Sequence, residues 1–167
     1  FMHTYNQELL PEEIDILKRM TNLPIDVDAM VAVTNMYRAA QRMRSKMERE
    51  VLSRYGLSWN GFALLYNLWI WEGMETRELE QSMNVTRATV SSISYTLERK
   101  GLCQRKQQTH DRRLVTITLT EEGKRVMEEL YPQFNKAEAA IVKDLSKEEQ
   151  RELTRLLRKV IKTMGEG

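Results

Sequence analysis

The sequence predicts a mainly α-helical chain broken once by a small β-hairpin. Three observations carry that expectation. Apolar residues recur at steps of three and four through most of the 167 residues. The period changes to two at Leu114-Val-Thr-Ile-Thr-Leu119, which follows Leu102-Cys-Gln-Arg-Lys106 across a polar segment. Residues that start or stop helices, chiefly serine, threonine and glycine, stand where one periodic run gives way to the next.

Residues 12–22 read as a short amphipathic helix with Ile14, Leu17 and Met20 on one side. Asn22 to Asp26 reads as a loop, because Pro24 disfavours helix in the residue before it. Asp28 is expected to cap the next helix. Its stripe, Ala29, Val33, Met36, Ala40, Met43, Met47 and Val51, ends at Gly56. Ser58 opens a third helix whose body, 62–71, is apolar almost all round and belongs at the centre of a core. Gly73 breaks it. Thr76 is expected to cap a short helix to Met83, with Leu79 and Met83 turned inward. Asn84-Val85-Thr86 makes a tight turn, and Thr86 caps a helix running to Lys100 and closed by Gly101.

The two strands at 102–106 and 114–119 follow, with the polar segment 107–113 as the hairpin tip. Thr120 starts a long helix with Val126, Leu130, Phe134, Ala137, Ile141 and Leu145 at helical spacing and a kink expected at Pro132. Ser146-Lys-Glu-Glu149 is a capping box that opens a last helix, striped by Leu153, Leu156, Leu157, Val160, Ile161 and Met164. Helix, turn, helix and hairpin in this order make a winged helix-turn-helix. The expected fold is therefore mainly α with a small β-hairpin wing, a winged helix-turn-helix domain carrying long N- and C-terminal dimerisation helices. Three regions are expected: helices at 12–57, the winged domain at 58–119, and helices at 120–164. A leucine-rich last helix and an amphipathic first one are hard to bury within a small winged domain; a second copy would cover them, and so would a helical bundle within one chain.

Charge narrows the partners. The net charge of +2 is uninformative, but residues 85–119 hold seven basic against two acidic side chains, and residues 35–57 six against two. A local basic patch on a nearly neutral protein suits phosphate binding, since field strength depends on where charges lie. On the helix after the turn, Val90, Ile93, Ser94 and Leu97 share one face. The opposite arc carries Ala88, Ser92, Tyr95 and Arg99, flanked by Arg87, Ser91 and Thr96. Small and hydroxylated residues let a helix backbone approach the floor of a major groove, and serine and threonine are poor helix formers that need such a reason. In the hairpin tip lie His110, Arg112 and Arg113, with Asp111 between them. An arginine there can enter a narrow minor groove, and a neighbouring carboxylate can hold its guanidinium.

Asp111-Arg-Arg113, followed by Leu119-Thr120 and Gly123, resembles the winged-helix signature of the multiple antibiotic resistance regulator (MarR) family. Val85-Thr-Arg-Ala-Thr-Val-Ser91 and Leu97-Glu-Arg-Lys-Gly-Leu102 are similar to that family's recognition helix and its exit into the wing. The resemblance spans roughly residues 30–164. It implies a homodimeric regulator of transcription on double-stranded DNA carrying an imperfect palindrome, with the first and last helices forming the dimer interface. It also implies that Thr86, Arg87, Ala88, Ser91 and Ser92 contact the major groove, that Arg113 is the wing arginine, and that Asp111 orients it while Arg112 assists. Ser92 stands where family members often carry a basic residue.

The family often binds small aromatic or phenolic anions between its dimerisation and DNA-binding parts. Met36, Arg38, Trp59, Tyr66 and Trp69 are the candidate lining residues, with plain core packing as the competing role for each aromatic. Some relatives sense oxidants through a cysteine near the start of the long first helix, where this chain has none. Its one cysteine, Cys103, excludes an internal disulfide framework and reads as a small buried hydrophobe. Nothing in the sequence groups Cys, His and acidic residues at metal spacing, and no phosphate loop or nucleophile elbow appears. The expectation is a cytoplasmic binding protein without a cofactor, a catalytic site or a membrane partner. A winged-helix module that binds protein instead of DNA is the alternative that the residues leave open.

Overall fold

The computed structural model describes residues 9–111 and 113–165. These form α1 (Pro11–Met20), α2 (Val27–Glu50), α3 (Trp59–Trp71), β1 (Met74–Glu75), α4 (Thr76–Met83), α5 (Arg87–Arg99), β2 (Cys103–Gln107), β3 (Val115–Leu119), α6 (Glu121–Ile141) and α7 (Lys147–Gly165). The mainly α fold with a β wing is as expected. The chain divides into two compact units between Met43 and Arg44.

In the first unit, Pro11 stands in the opening turn of α1, where its missing N–H costs nothing. Glu13 is buried, and its carboxylate accepts from the Leu10 backbone N–H at 2.7 Å and from Asn35 Nδ2 at 2.6 Å. Asn35 lies on α2, so this satisfied carboxylate ties the two helices. Asp26, not Asp28, caps α2: its Oδ1 accepts from the Ala29 N–H at 3.0 Å. The capping residue is two positions earlier than the periodicity suggested, because Val27 already has helical geometry. Helix α2 crosses the boundary between the units: its one buried residue, Met47, belongs to the second, while Val33 in the first is 59% exposed.

The second unit holds the core, built on Leu52, Leu64, Leu65, Leu68, Leu79, Val90, Leu97, Ile117, Met127 and Leu130. Helix α2 does not run to Gly56. It gives way to a 3₁₀ turn, Leu52–Tyr55, and Gly56 closes that turn with φ +63°, a conformation costly for any residue with a Cβ. Ser58 caps α3 as expected, accepting from the Gly61 N–H at 3.0 Å. The helix is less uniformly buried than its composition suggested: Ile70 and Trp71 in its last turn are about half exposed (48% and 57%). Buried Asn67 is satisfied by donating to Ala63 O at 2.8 Å and accepting from Ser82 of α4.

Thr76 is not the cap of α4. It is the helix's first residue, and its hydroxyl donates to Val115 O at 3.3 Å, while the Glu75 N–H is met by Glu78 Oε2 at 2.7 Å. β1 leaves no mark in the sequence, because its two residues are too few to show a period. β1 pairs antiparallel with β3 (Met74↔Ile117), so the sheet has three strands in the order β1-β3-β2. β2 pairs with β3 in the register Cys103↔Leu119 to Gln107↔Val115. That register turns Cys103 and Ile117 inward, both essentially unexposed.

Thr120 caps α6 through the Gly123 N–H at 3.0 Å and donates to Gly101 O at 2.6 Å. This helix continues through Pro132 and ends at Ile141, short of Leu145; its most buried positions include Met127 where the stripe had suggested Val126. The Ser146 capping box of α7 is present in both directions, Ser146 N–H to Glu149 Oε2 at 2.7 Å and Glu149 N–H to Ser146 Oγ at 3.1 Å. No residue of α7 is buried. No helix among the described residues is long and apolar enough to cross a membrane.

Candidate nucleic-acid interface

The α4–α5 turn is made by Asn84, which takes a left-handed conformation (φ +52°) that asparagine tolerates well. Thr86 then caps α5, its Oγ1 accepting from the Thr89 N–H at 3.2 Å. Val90, Ser94 and Leu97 fall on the buried face and fix the helix's rotation. Ser94, unexposed, is satisfied by donating to Ser91 O at 2.9 Å. With that face held inward, Arg87, Ala88, Ser92, Tyr95, Thr96 and Arg99 lie exposed along the other side, Thr86 is exposed at the cap, and Ser91 is half-buried. The arc named from the sequence is one continuous surface of this helix.

The wing tip is organised by Asp111. Its Oδ1 accepts the Arg113 backbone N–H at 2.9 Å, and its carbonyl accepts from Leu114 N–H at 3.0 Å. The aspartate therefore orients the arginine's main chain, where the sequence had suggested a grip on the guanidinium. A two-residue reach suits an Asx-type turn, which competes well with a side-chain ion pair in water. Arg113 and His110 are exposed. Arg112 lies outside the described residues. Arg87 adds a tie that the sequence does not announce: its Nη2 donates to Arg113 O at 3.0 Å, joining the first turn of α5 to the wing tip.

A further unforeseen partner is Arg105 on β2, whose guanidinium carbon stands 3.6 Å from the centroid of the Tyr95 ring. The only sequence signal was an arginine in phase with inward-facing Cys103 on an otherwise polar strand. Nearby, Cys103 is buried against Ser94 O (3.5 Å), and its thiol is pushed up to about 11, first by burial and next by the Glu98 carboxylate. Such a thiol stays protonated near neutrality, which suits a packing role.

The proposed effector residues separate into two groups. Trp59, Tyr66 and Trp69 are half-buried in an aromatic cluster between α3 and α6, with Phe62, Tyr131 and Phe134. Phe62 stacks on Phe134 at 4.3 Å between centroids, and Tyr66 on Tyr131 at 5.7 Å. Met36 and Arg38 lie on α2 in the first unit, both half-buried, and Arg38 Nη1 is buried with no hydrogen-bond partner among the described residues. Among the described residues no group of His, Cys, Asp and Glu could hold a metal ion.

A protein-family model described as the MarR family matches residues 57–115, the region holding α3, the turn, α5 and the wing. The uncharacterized HTH-type transcriptional regulator YwaE of Bacillus subtilis (strain 168) is 45% identical over 158 residues, covering 93% of this chain and 92% of that protein. The fold is shared with Sco3205, a MarR family transcriptional regulator from Streptomyces coelicolor solved in complex with DNA (TM-score 0.74, 23% identity, 83% of this chain and 89% of that one). It is also shared with BpsR of Bordetella bronchiseptica, whose DNA binding is regulated by 6-hydroxynicotinic acid (TM-score 0.72, 23% identity, 77% of this chain and 97% of that one).

Proposed function

The chain belongs to the MarR family, and from that premise we propose that it is a sequence-specific regulator of transcription, a cytoplasmic repressor that grips a palindromic double-stranded DNA operator as a homodimer. The observation that carries this reading is the exposed arc of α5 lying on a helix tied by hydrogen bond to the Arg113 wing tip. Small residues and hydroxyls line the rod meant for the major groove, and an unburied arginine tips the finger meant for the minor groove. Thr86, Arg87, Ala88, Ser91 and Ser92 form the major-groove set in this proposal, while Arg113, with His110 beside it, serves the wing. Exposed Arg99 lies at the far end of the same arc, suited to a phosphate. A module that bound only protein would have no use for this pairing of a polar rod with a basic finger.

The test is binding to duplexes selected from a random library. A palindrome should emerge. Arg113→Ala should weaken binding about tenfold to a hundredfold and lower the salt dependence of the affinity by about one unit per protomer. A wild-type protein that shows no preference among duplexes, and an affinity indifferent to salt, would count against the reading.

We further propose that a small aromatic acid releases the DNA. Support comes from the aromatic cluster around Tyr66, Trp69 and Tyr131 and from the regulation described for BpsR. Release requires a ligand that binds the DNA-incompatible arrangement more tightly than the compatible one. Hydroxylated aromatic carboxylates titrated into the protein–operator complex should lower its affinity at least fivefold. A panel that changes neither the affinity nor the thermal stability would end this part of the proposal.

A further inference from the structure

Tyr95 occupies the exposed arc of α5 (55% exposed) and so presents itself as a base or phosphate contact. The geometry around it suggests a different task. The Arg105 guanidinium lies over one face of its ring at 3.6 Å. Arg105 is half-buried, and its Nε is buried with no hydrogen-bond partner among the described residues, so the ring face does the holding at that end of the side chain. Its backbone N–H, pointing out from the edge strand β2, is taken by Glu98 Oε1 at 3.0 Å. Tyr95 and Glu98 are neighbours one turn apart on α5, and together they clasp a single residue of the wing. At the other end of the hairpin, Arg87 of α5 holds Arg113 O at 3.0 Å.

Both clasps join α5 to the wing, and neither belongs to the apolar core. They act where the core cannot. Toward the tip, buried residues of β2 and β3 stop at Cys103 and Ile117: Val115 and Leu114 beyond them are only half-buried, and β1 pairs no further than Glu75 with Thr116. Past that pairing the hairpin is a two-stranded ribbon, which has little of its own to fix its direction. We propose that Tyr95 and Arg105 are positioning residues that set the distance and angle between the recognition helix and the wing, and so the register of Arg113 against the groove contacts of α5. In this role Tyr95 works through the face of its ring and not through its hydroxyl. The inference rests on the DNA-binding reading above.

The experiment compares Tyr95→Phe, Tyr95→Leu, Arg105→Met and the double variant Tyr95→Leu/Arg105→Met on the selected palindrome. Tyr95→Phe keeps the ring face and should bind within about twofold of wild type. Tyr95→Leu and Arg105→Met should each weaken binding about tenfold, and the double variant should be no worse than either alone. Hydroxyl-radical protection of the minor groove at the wing should fade while guanine N7 protection in the major groove persists. In the free protein, hydrogen exchange of the wing-tip amides should quicken in Tyr95→Leu and stay unchanged in Tyr95→Phe. Should Arg105→Met fail to fold, Tyr95→Leu, which alters an exposed ring, carries the comparison alone.

Equal loss in Tyr95→Phe and Tyr95→Leu would overturn the proposal in favour of a hydroxyl contact with DNA. Wild-type affinity and unchanged wing exchange in Tyr95→Leu would overturn it outright. Failure of the wild-type protein to bind any duplex would instead refute the DNA-binding reading, and wing exchange would still report on the clasp.

Discussion

Replacing Gly123 by alanine should lower the stability of the protein by about 3 kcal/mol, the upper end of what overpacking costs. A Cβ built on Gly123 would stand 2.0 Å from Leu102 O, 3.0 Å from Leu102 C and 3.2 Å from Leu119 Cδ2. Carbon and a carbonyl oxygen approach no closer than about 3.3 Å even in favourable contacts. The obstructing atom is backbone, so no side chain can rotate away. Nor can Leu102 yield easily, because its carbonyl accepts the Thr120 N–H at 3.2 Å and its own N–H donates to Leu97 O at 3.0 Å. Either α6 or the α5–β2 junction must shift, and the second would carry the wing with it.

For a chain of this size the loss corresponds to a fall of about 10 °C in melting temperature. Calorimetry at matched protein concentration reads it, since an oligomer's stability depends on concentration. Gly165→Ala is the control: nothing lies within 4 Å of the Cβ it would add, and it should change stability by no more than about 0.5 kcal/mol. A Gly123→Ala protein that melts with wild type would show that the close approach of α6 to Leu102 does not exist. The glycine in the Leu119-Thr120-x-x-Gly123 signature thus has a steric reason that stands apart from any resemblance.

The second large effect concerns α7. Leu153, Leu156, Ile161 and Met164 are 42%, 44%, 61% and 71% exposed, although they form a single apolar stripe at helical spacing. A soluble monomer seldom leaves such a stripe in water, and a two-fold copy covers it at no cost in new sequence. The double variant Leu156→Glu/Ile161→Glu should sediment as a monomer where wild type sediments as a dimer. Its affinity for the full palindrome should fall about 10²- to 10⁴-fold, because the second half-site is no longer delivered at high effective concentration. Lys162→Glu, on the opposite side of the same helix, should leave both properties unchanged. A double variant that remains dimeric would remove α7 from the interface.

The helix order, the wing, the capping residues Ser58, Thr86, Thr120 and Ser146, and the arc of α5 were legible because each is written in neighbouring residues. A cap reaches three positions, a helical stripe four, a strand alternation two. The departures have two causes. At α2 the cap is as local as the others, Asp26 to Ala29, and two nearby aspartates offered the same signal. At α4 the cause is tertiary: the Thr76 hydroxyl is taken by Val115 O, 39 positions along the chain, and Glu75 precedes the helix in its place. β1 exists only because β3 lies alongside it.

Sequence by itself therefore determined the fold class, the buried face of α5 and hence the surface that faces outward, and the placing of Arg113 in a hairpin tip. Only the tertiary structure decided how those parts are held: Asp111 on the Arg113 main chain, Arg87 on the wing, Tyr95 under Arg105, and Gly123 against Leu102. Local periodicity follows from backbone geometry repeating every few residues. Contacts between residues brought together by folding carry no such period, since any side chain of suitable shape and charge can fill them.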